Sequence, residues 1–201
     1  WQYNRCSISS KGIGDMKKED KIKNLFEFGQ EPSLEEVLLA RENRWKIQEQ
    51  LAKKYSLPIL TFKLNIPGPV KNNRTIYEVF NKGYNQIKHM LRENGWNVVF
   101  EKHWNFSTGP EYICVVNTQD PIELKRKTIE LEESFLGRIY DIDIVVEGHN
   151  QIVQITRTKL GFDERKCFIC NNSAKICGRS RAHSIEEIQM KLSEIILTHM
   201  D

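Results

Sequence analysis

No apolar run in this 201-residue chain approaches the roughly 20 residues that span a bilayer, and residues 1–11 lack the hydrophobic stretch of a signal peptide. Membrane insertion and export are therefore not expected, and the cytosol is the expected compartment. A Walker loop, a dinucleotide-binding glycine fingerprint, a nucleophile elbow and a zinc-protease HExxH are all missing, as is any internal repeat. Those absences remove the commonest phosphate-loop, Rossmann, hydrolase and metalloprotease readings. Cysteine is scarce and odd in number: there are five, of which Cys167, Cys170 and Cys177 crowd one segment. A small secreted domain would spread its cysteines as a disulfide framework, so reduced thiols or a bound metal fit better.

Excess charge is also small, at +3, but unevenly spread. Between residues 157 and 183 seven cations (Arg157, Lys159, Arg165, Lys166, Lys175, Arg179, Arg181) face only Asp163 and Glu164, a local +5 that leaves the rest near −2. Such a patch suits a phosphate-rich ligand as well as nucleic acid, and it is also what a solvated basic loop looks like.

With 39% hydrophobic and 28% charged residues the chain can bury one ordinary core, so a single domain over 31–201 is expected. Residues 1–30, polar and without periodicity, read as disordered or as an extension. Ser33 and Glu36 form a capping box for a helix over 34–54, whose apolar residues Leu34, Val37, Leu38, Trp45 and Leu51 recur at helical spacing. Residues 58–66 alternate as a strand until Pro67-Gly-Pro69 stops it, and Thr75 with Glu78 caps a second helix ending at Asn94-Gly95. Strands follow over 96–104 and 111–117, then Asp120-Pro121-x-Glu123 opens a helix to Glu133. Strands over 139–146 and 151–156 flank the hairpin signal Glu147-Gly-His-Asn150. The last helix begins at Ser184 with Glu187 as capping partner, its apolar face Ile185, Ile188, Leu192, Ile195 and Ile196. The order β-α-β-β-α-β predicts an α+β fold with a ferredoxin-like (split βαβ) core over about 58–156 and its helices on one sheet face. An N-terminal helix, a Cys-rich basic segment at 157–183 and a C-terminal helix at 184–200 complete it.

Asp141-Ile-Asp143-Ile144 carries the sharpest chemistry. Residues i and i+2 of a strand share a face, so both carboxylates point one way and the isoleucines the other. Such a pair can hold Mg²⁺, a hard cation that keeps positions open for substrate phosphates; equally, two ordinary acids can line a solvated strand. Glu130-Leu-Glu132-Glu133 and Gly137-Arg138 lie close in sequence, offering a third carboxylate and an anion-binding guanidinium. Pro67-Gly-Pro69-Val-Lys71 leads to a helix N-terminus, where free N–H groups favour phosphate and Lys71 and Arg74 add charge. Cys167-x2-Cys170-x6-Cys177-x5-His183 offers three thiols and an imidazole, the ligand set of a structural Zn²⁺ site, or else free cysteines around a tight loop.

An ordered series of motifs runs through these segments: Leu39-Ala-Arg41-Glu-Asn-Arg44 to Gln48, Pro67-Gly-Pro-Val-Lys71, Phe80-Asn81-x-Gly83, Gly95-Trp96, Thr108-Gly-Pro-Glu111, Thr128-Ile-Glu-Leu-Glu132, Leu136-Gly-Arg138, Asp141-Ile-Asp143 and the Cys/His set. In this the chain resembles the holo-citrate lyase synthase (apo-citrate lyase phosphoribosyl-dephospho-CoA transferase) family from about Glu35 to His183. The family usually has a Ser-His-Pro-like stretch before Leu-Gly-Arg, whereas here Ser134-Phe135 runs directly into Leu136 and offers no histidine.

The resemblance implies a nucleotidyltransferase-type reaction. A serine of the citrate lyase acyl carrier subunit attacks the innermost phosphate of 2'-(5''-triphosphoribosyl)-3'-dephospho-CoA, and pyrophosphate leaves. It implies Asp141 and Asp143 as Mg²⁺ ligands, Glu132 as the serine base, and Arg138, Lys71, Arg41, Arg44 and Arg74 as phosphate or carrier contacts. Two other readings compete. One is a non-enzymatic, zinc-containing nucleic-acid or protein-binding module, which leaves the acid pair unexplained; the other is an inactive carrier-binding member, prompted by the absent histidine.

Overall fold

The computed structural model describes residues 23–200. The expectation of disorder over 1–22 therefore lies outside the described residues. Over 23–30 it is corrected: Phe26 is 2% exposed in the main core. The Leu25 amide donates to Ser193 Oγ at 3.0 Å, and Gln30 pairs with Asn72 as an isolated bridge. One buried aromatic in the short run Leu25-Phe26-Glu27-Phe28 anchors a segment that has no sustained period to betray it.

The architecture is mixed α/β, with a five-stranded antiparallel sheet in the order β2-β3-β1-β4-β5. Its strands are β1 (Ile59–Leu64), β2 (Asn97–Phe106), β3 (Gly109–Asn117), β4 (Tyr140–Val146) and β5 (Val153–Ile155). Five α-helices accompany it among the described residues: α1 (Leu34–Tyr55), α2 (Arg74–Glu93), α3 (Pro121–Glu133), α4 (Ala174–Ser180) and α5 (Ile185–His199). No described helix is long and apolar enough to cross a membrane. Capping boxes at Ser33/Glu36 and Ser184/Glu187 start α1 and α5, and Asp120 with Pro121 starts α3. The start of α2 differs from expectation. Asn73 is its cap, its side chain accepting from the Ile76 amide, while Glu78 pairs with Arg74.

Alternation divides the central strands between two cores. Leu60, Phe62, Tyr112, Cys114, Tyr140, Ile142 and Ile144 face α2, α3 and α5 in the larger one. Ile59, Ile113, Val115 and Val145 face Leu51 and Ala52 of α1 on the other side. The core's own helices, α2 and α3, share the first face, where the expectation put them, and the N-terminal α1 takes the other. Helix α1 buries only Gln48, Leu51 and Ala52 and leaves Leu34, Leu38, Leu39 and Trp45 about half exposed or more. The expected face of α5 also shifts: Leu192 and Ile196 are buried, whereas Ile185 is exposed.

At Gly83, in the middle of α2, an added Cβ would lie 2.5 Å from the Phe62 ring and 2.9 Å from the Tyr140 ring. Overpacking a core costs about 1–3 kcal/mol, which exceeds the roughly 1 kcal/mol that alanine gains over glycine in a helix. Gly83→Ala is accordingly expected to lower stability in urea unfolding. A variant as stable as the parent would show that α2 does not sit this close to the sheet.

Candidate functional site

Antiparallel register writes the polar row across the sheet. Lys63 stands opposite Glu111 on β3 and opposite Asp141 on β4, and Thr61 stands opposite Asp143. All five belong to the face on which α1 lies. Lys63 Nζ makes an ion pair with Asp141, and Arg44 from α1 makes a two-pronged ion pair with Glu111. Gln48 Nε2 donates to Thr61 Oγ1 at 3.0 Å, and Gln154 Nε2 donates to Asp143 Oδ1 at 2.6 Å.

The two aspartates differ in acidity. Burial pushes Asp141 up, but Lys63, Arg165 and Lys125 outweigh it and hold the carboxyl below its ordinary value. Asp143 is pushed up, by burial and then by the negative charge of Asp141. Burial likewise works against the charge on Arg44, and Glu111, Asp143 and Asp141 together outweigh it. Lys71 donates to the Ile66 carbonyl at 2.7 Å, and its affinity for a proton is lowered by burial and by the neighbouring charge of Lys63. Arg44, Lys71, Asp141 and Asp143 therefore converge around Lys63. Oxygen donors on one face, fringed by cations, are suited to a phosphate-bearing ligand and a hard metal ion.

The remaining expected residues sit elsewhere. Glu132 is 3% exposed at its side chain and braces the edge of β4. Pairing with β5 begins only at Ile144, so the outward amide and carbonyl of Ile142 need other partners. Glu132 Oε1 accepts the Ile142 N–H at 2.9 Å, and Lys125 Nζ donates to the Ile142 carbonyl at 2.6 Å. Arg165 closes the arrangement, 2.5 Å from Glu132. Burial pushes Glu132 up despite Lys125 and Arg165. In this position the β4 edge and two cations occupy its carboxylate, which is 3% exposed, unlike the free base expected from sequence. Glu132→Gln is expected to reduce stability by roughly 1.5–3 kcal/mol, the scale of a hydrogen bond to a charged group. Transfer measured below the melting range should then stay within about tenfold of normal; a collapse of rate in a stably folded variant would restore the base role.

Arg138 donates to the carbonyls of Lys166 and Cys167, at 3.2 and 2.9 Å, and lies over the Phe168 ring. With Arg157, Arg165, Lys166, Glu132 and Asn65 it lines a second cleft of about 290 Å³. Arg74 points into solvent, 92% exposed at its side chain and paired, among the described residues, with Glu78 one turn on. Arg41 is exposed on α1. Three of the seven cations of the 157–183 segment are in ion pairs: Arg157 with Glu133, Arg165 with Glu132, and Lys175 with Glu164. Phe135, directly before Leu136, stacks on His199 of α5 with ring centroids 4.6 Å apart.

Cys167, Cys170, Cys177 and His183 offer ligand atoms that all lie within 4.8 Å of one another, a group that can hold a metal ion. The four described cysteines are free. Cys170 Sγ is 3.5 Å from Cys177 Sγ and 3.3 Å from His183 Nε2. Burial raises the Cys167 thiol, but the amides of Cys170 and Ile169 outweigh it and favour the thiolate. Helix α4, which the sequence reading missed, supplies Cys177.

Lys63, Glu111 and Arg165 were missed as site residues. A usable signal existed for Lys63: Thr61 and Lys63 repeat, on a strand, the i, i+2 pattern that singled out Asp141 and Asp143. Arg165 carried no such signal, since its partner Glu132 is 33 residues away.

A family model described as apo-citrate lyase phosphoribosyl-dephospho-CoA transferase matches residues 32–199. A probable apo-citrate lyase phosphoribosyl-dephospho-CoA transferase of Vibrio cholerae serotype O1 (strain M66-2) is 35% identical over 169 residues, 83% of this chain and 92% of the relative. Its counterpart in Streptococcus pyogenes serotype M18 (strain MGAS8232) is 34% identical over 176 residues, 87% of this chain and 90% of the relative. Every element that shapes the polar row, from α1 to β4, falls inside the matched span, and the chain belongs to the apo-citrate lyase phosphoribosyl-dephospho-CoA transferase family.

Proposed function

We propose that this protein transfers the phosphoribosyl-dephospho-CoA group from 2'-(5''-triphosphoribosyl)-3'-dephospho-CoA to a serine of the citrate lyase acyl carrier subunit. The observation that carries it, beside family membership, is the row Arg44–Glu111–Lys63–Asp141 with Asp143 next to it. In this reaction the bond from the serine oxygen to the innermost phosphorus forms as the bond to pyrophosphate breaks. Such chemistry asks little covalent work of a protein and depends on positioning and on charge. Lys63, Arg44 and Lys71 attract the triphosphate, and Asp141 and Asp143 are the residues to hold Mg²⁺. Their fit to a hard cation rests on two oxygen donors on one face, of which Asp143 is held up by burial and then by the charge of Asp141. When bound, the ion would neutralise charge on the triphosphate.

We read Cys167, Cys170, Cys177 and His183 as a structural zinc site. Tetrahedral zinc with bonds of about 2.3 Å to sulfur and 2.05 Å to nitrogen sets ligand separations of about 3.8 Å between sulfurs and 3.6 Å from sulfur to nitrogen. The observed 3.5 and 3.3 Å lie close to both. Strand order β2-β3-β1-β4, with α2 and α3 on one face, supports a ferredoxin-like core within a single transferase domain. The cytoplasm, where free cysteines persist, is its proposed compartment.

The test is pyrophosphate release on mixing the protein, the triphosphate donor, Mg²⁺ and apo-carrier. Release is expected only when all are present. Equal release without the carrier would make the protein a hydrolase, and none at all would remove the activity.

A further inference from the structure

Two stretches distant in sequence, 39–48 on α1 and 108–111 at the head of β3, give only Arg44 and Glu111 to the polar row. They nevertheless face each other across one cavity of about 560 Å³, within the usual range for a small-molecule site. Leu39, Ala40 and Ile47 form its helix wall, and Trp104 and Phe106 of β2 form the wall opposite. The two rings are stacked, their centroids 6.1 Å apart and their planes 21° from parallel. Lys102 lies over Trp104 at 5.0 Å, and the hydroxyl of Thr108, a residue of the lining, is buried without a hydrogen-bond partner among the described residues. Lys63 belongs both to this cavity and, through Asp141, to the acid pair. The cavity exists because α1 touches down only near Gln48, Leu51 and Ala52; its N-terminal half is tied to the sheet by Arg44 and Glu111 instead of by apolar side chains.

We propose that this cavity binds the adenosine end of the dephospho-CoA donor, with the adenine against the Trp104–Phe106 pair; the donor's identity rests on the transfer reading above. Aromatic faces recognise a base by stacking, and the orphan Thr108 hydroxyl offers an edge hydrogen bond. The reacting triphosphoribosyl group is attached at the adenosine 2'-oxygen. Seating the adenosine beside Lys63 therefore brings the triphosphate toward Asp141 and Asp143, while the pantetheine arm leaves through the open side of the cavity.

Dephospho-CoA, which lacks the triphosphoribosyl group, is the probe, titrated calorimetrically into the full-length protein. Trp104→Ala is expected to weaken it by about tenfold or more, the scale of a lost base stack. Because Trp104 also packs against the smaller core, Ala40→Trp fills the cavity from the helix side and should weaken the probe equally while the sheet is untouched. AMP should compete and 4'-phosphopantetheine should not. In steady-state transfer both variants should raise KM for the donor and leave KM for apo-carrier unchanged. Competition by phosphopantetheine alone, unaltered binding in both folded variants, or a shift confined to the carrier KM would overturn the assignment. A parent protein that transfers the group but does not bind dephospho-CoA would also overturn it, leaving the transfer reading intact. Binding that both variants abolish, in a protein that transfers nothing, would uphold the adenosine site and remove the transfer reading.

Discussion

Asp141→Asn and Asp143→Asn are each expected to slow group transfer by at least about a hundredfold, the scale of removing one preorganised electrostatic contact at a transition state. Both substitutions keep side-chain shape. Their structural costs differ, because Asp141 is ion-paired with Lys63 whereas Asp143, among the described residues, is held by the neutral Gln154 amide. Asp141→Asn leaves an ammonium without its partner, a cost of about 1 kcal/mol or less for a pair about one-third exposed. Asp143→Asn removes a carboxylate that its neighbour already repels, so stability should hold or rise. The measurement is initial rate at saturating Mg²⁺ alongside a thermal melt. Near-normal rates in both variants would make the pair ordinary strand acids.

Cys170→Ser is the second large effect. Cys170 is central to its cluster, with hydrogen-bond-range separations to both Cys177 and His183. Losing it should release the metal and lower the melting temperature by at least about 5 °C, since a metal held only by the folded state contributes its binding energy to folding. The consequence should spread. The carbonyls of Lys166 and Cys167 hold Arg138, and Arg165 just before them reaches Glu132 and so the edge of β4. Elemental analysis is expected to find about one zinc per chain in the parent and none in the variant. Metal-free parent protein of undiminished stability would retire the site.

Much of the fold could be read because its signals are local. Ser33/Glu36, Asp120-Pro121 and Ser184/Glu187 mark helix starts within four residues, and Asp141-Ile-Asp143 displays its shared face on its own strand. What could not be read depends on partners far along the chain. Phe26 is buried by a core built more than 30 residues later, and the short run Leu25-Phe26-Glu27-Phe28 has no period to signal that. Leu34 and Leu38 looked like a core stripe, but the sheet supplies no surface beneath the N-terminal half of α1. Glu132 looked like a free carboxylate because its occupation by the Ile142 amide depends on how far β5 extends. Arg74 looked like a phosphate contact from its place at a helix start, yet that end of α2 turns it to solvent. The cysteine and histidine spacing gave the donor set, while the convergence of its atoms required α4 and the turn before α5.

The claim at the centre of this account is a covalent transfer, and intact mass spectrometry of the carrier addresses it most directly. Apo-carrier incubated with the donor, Mg²⁺ and catalytic amounts of this protein should gain the mass of one phosphoribosyl-dephospho-CoA group, and a carrier whose acceptor serine is replaced by alanine should gain none. A carrier recovered at its starting mass, with protein, donor and metal all verified in the mixture, would contradict it.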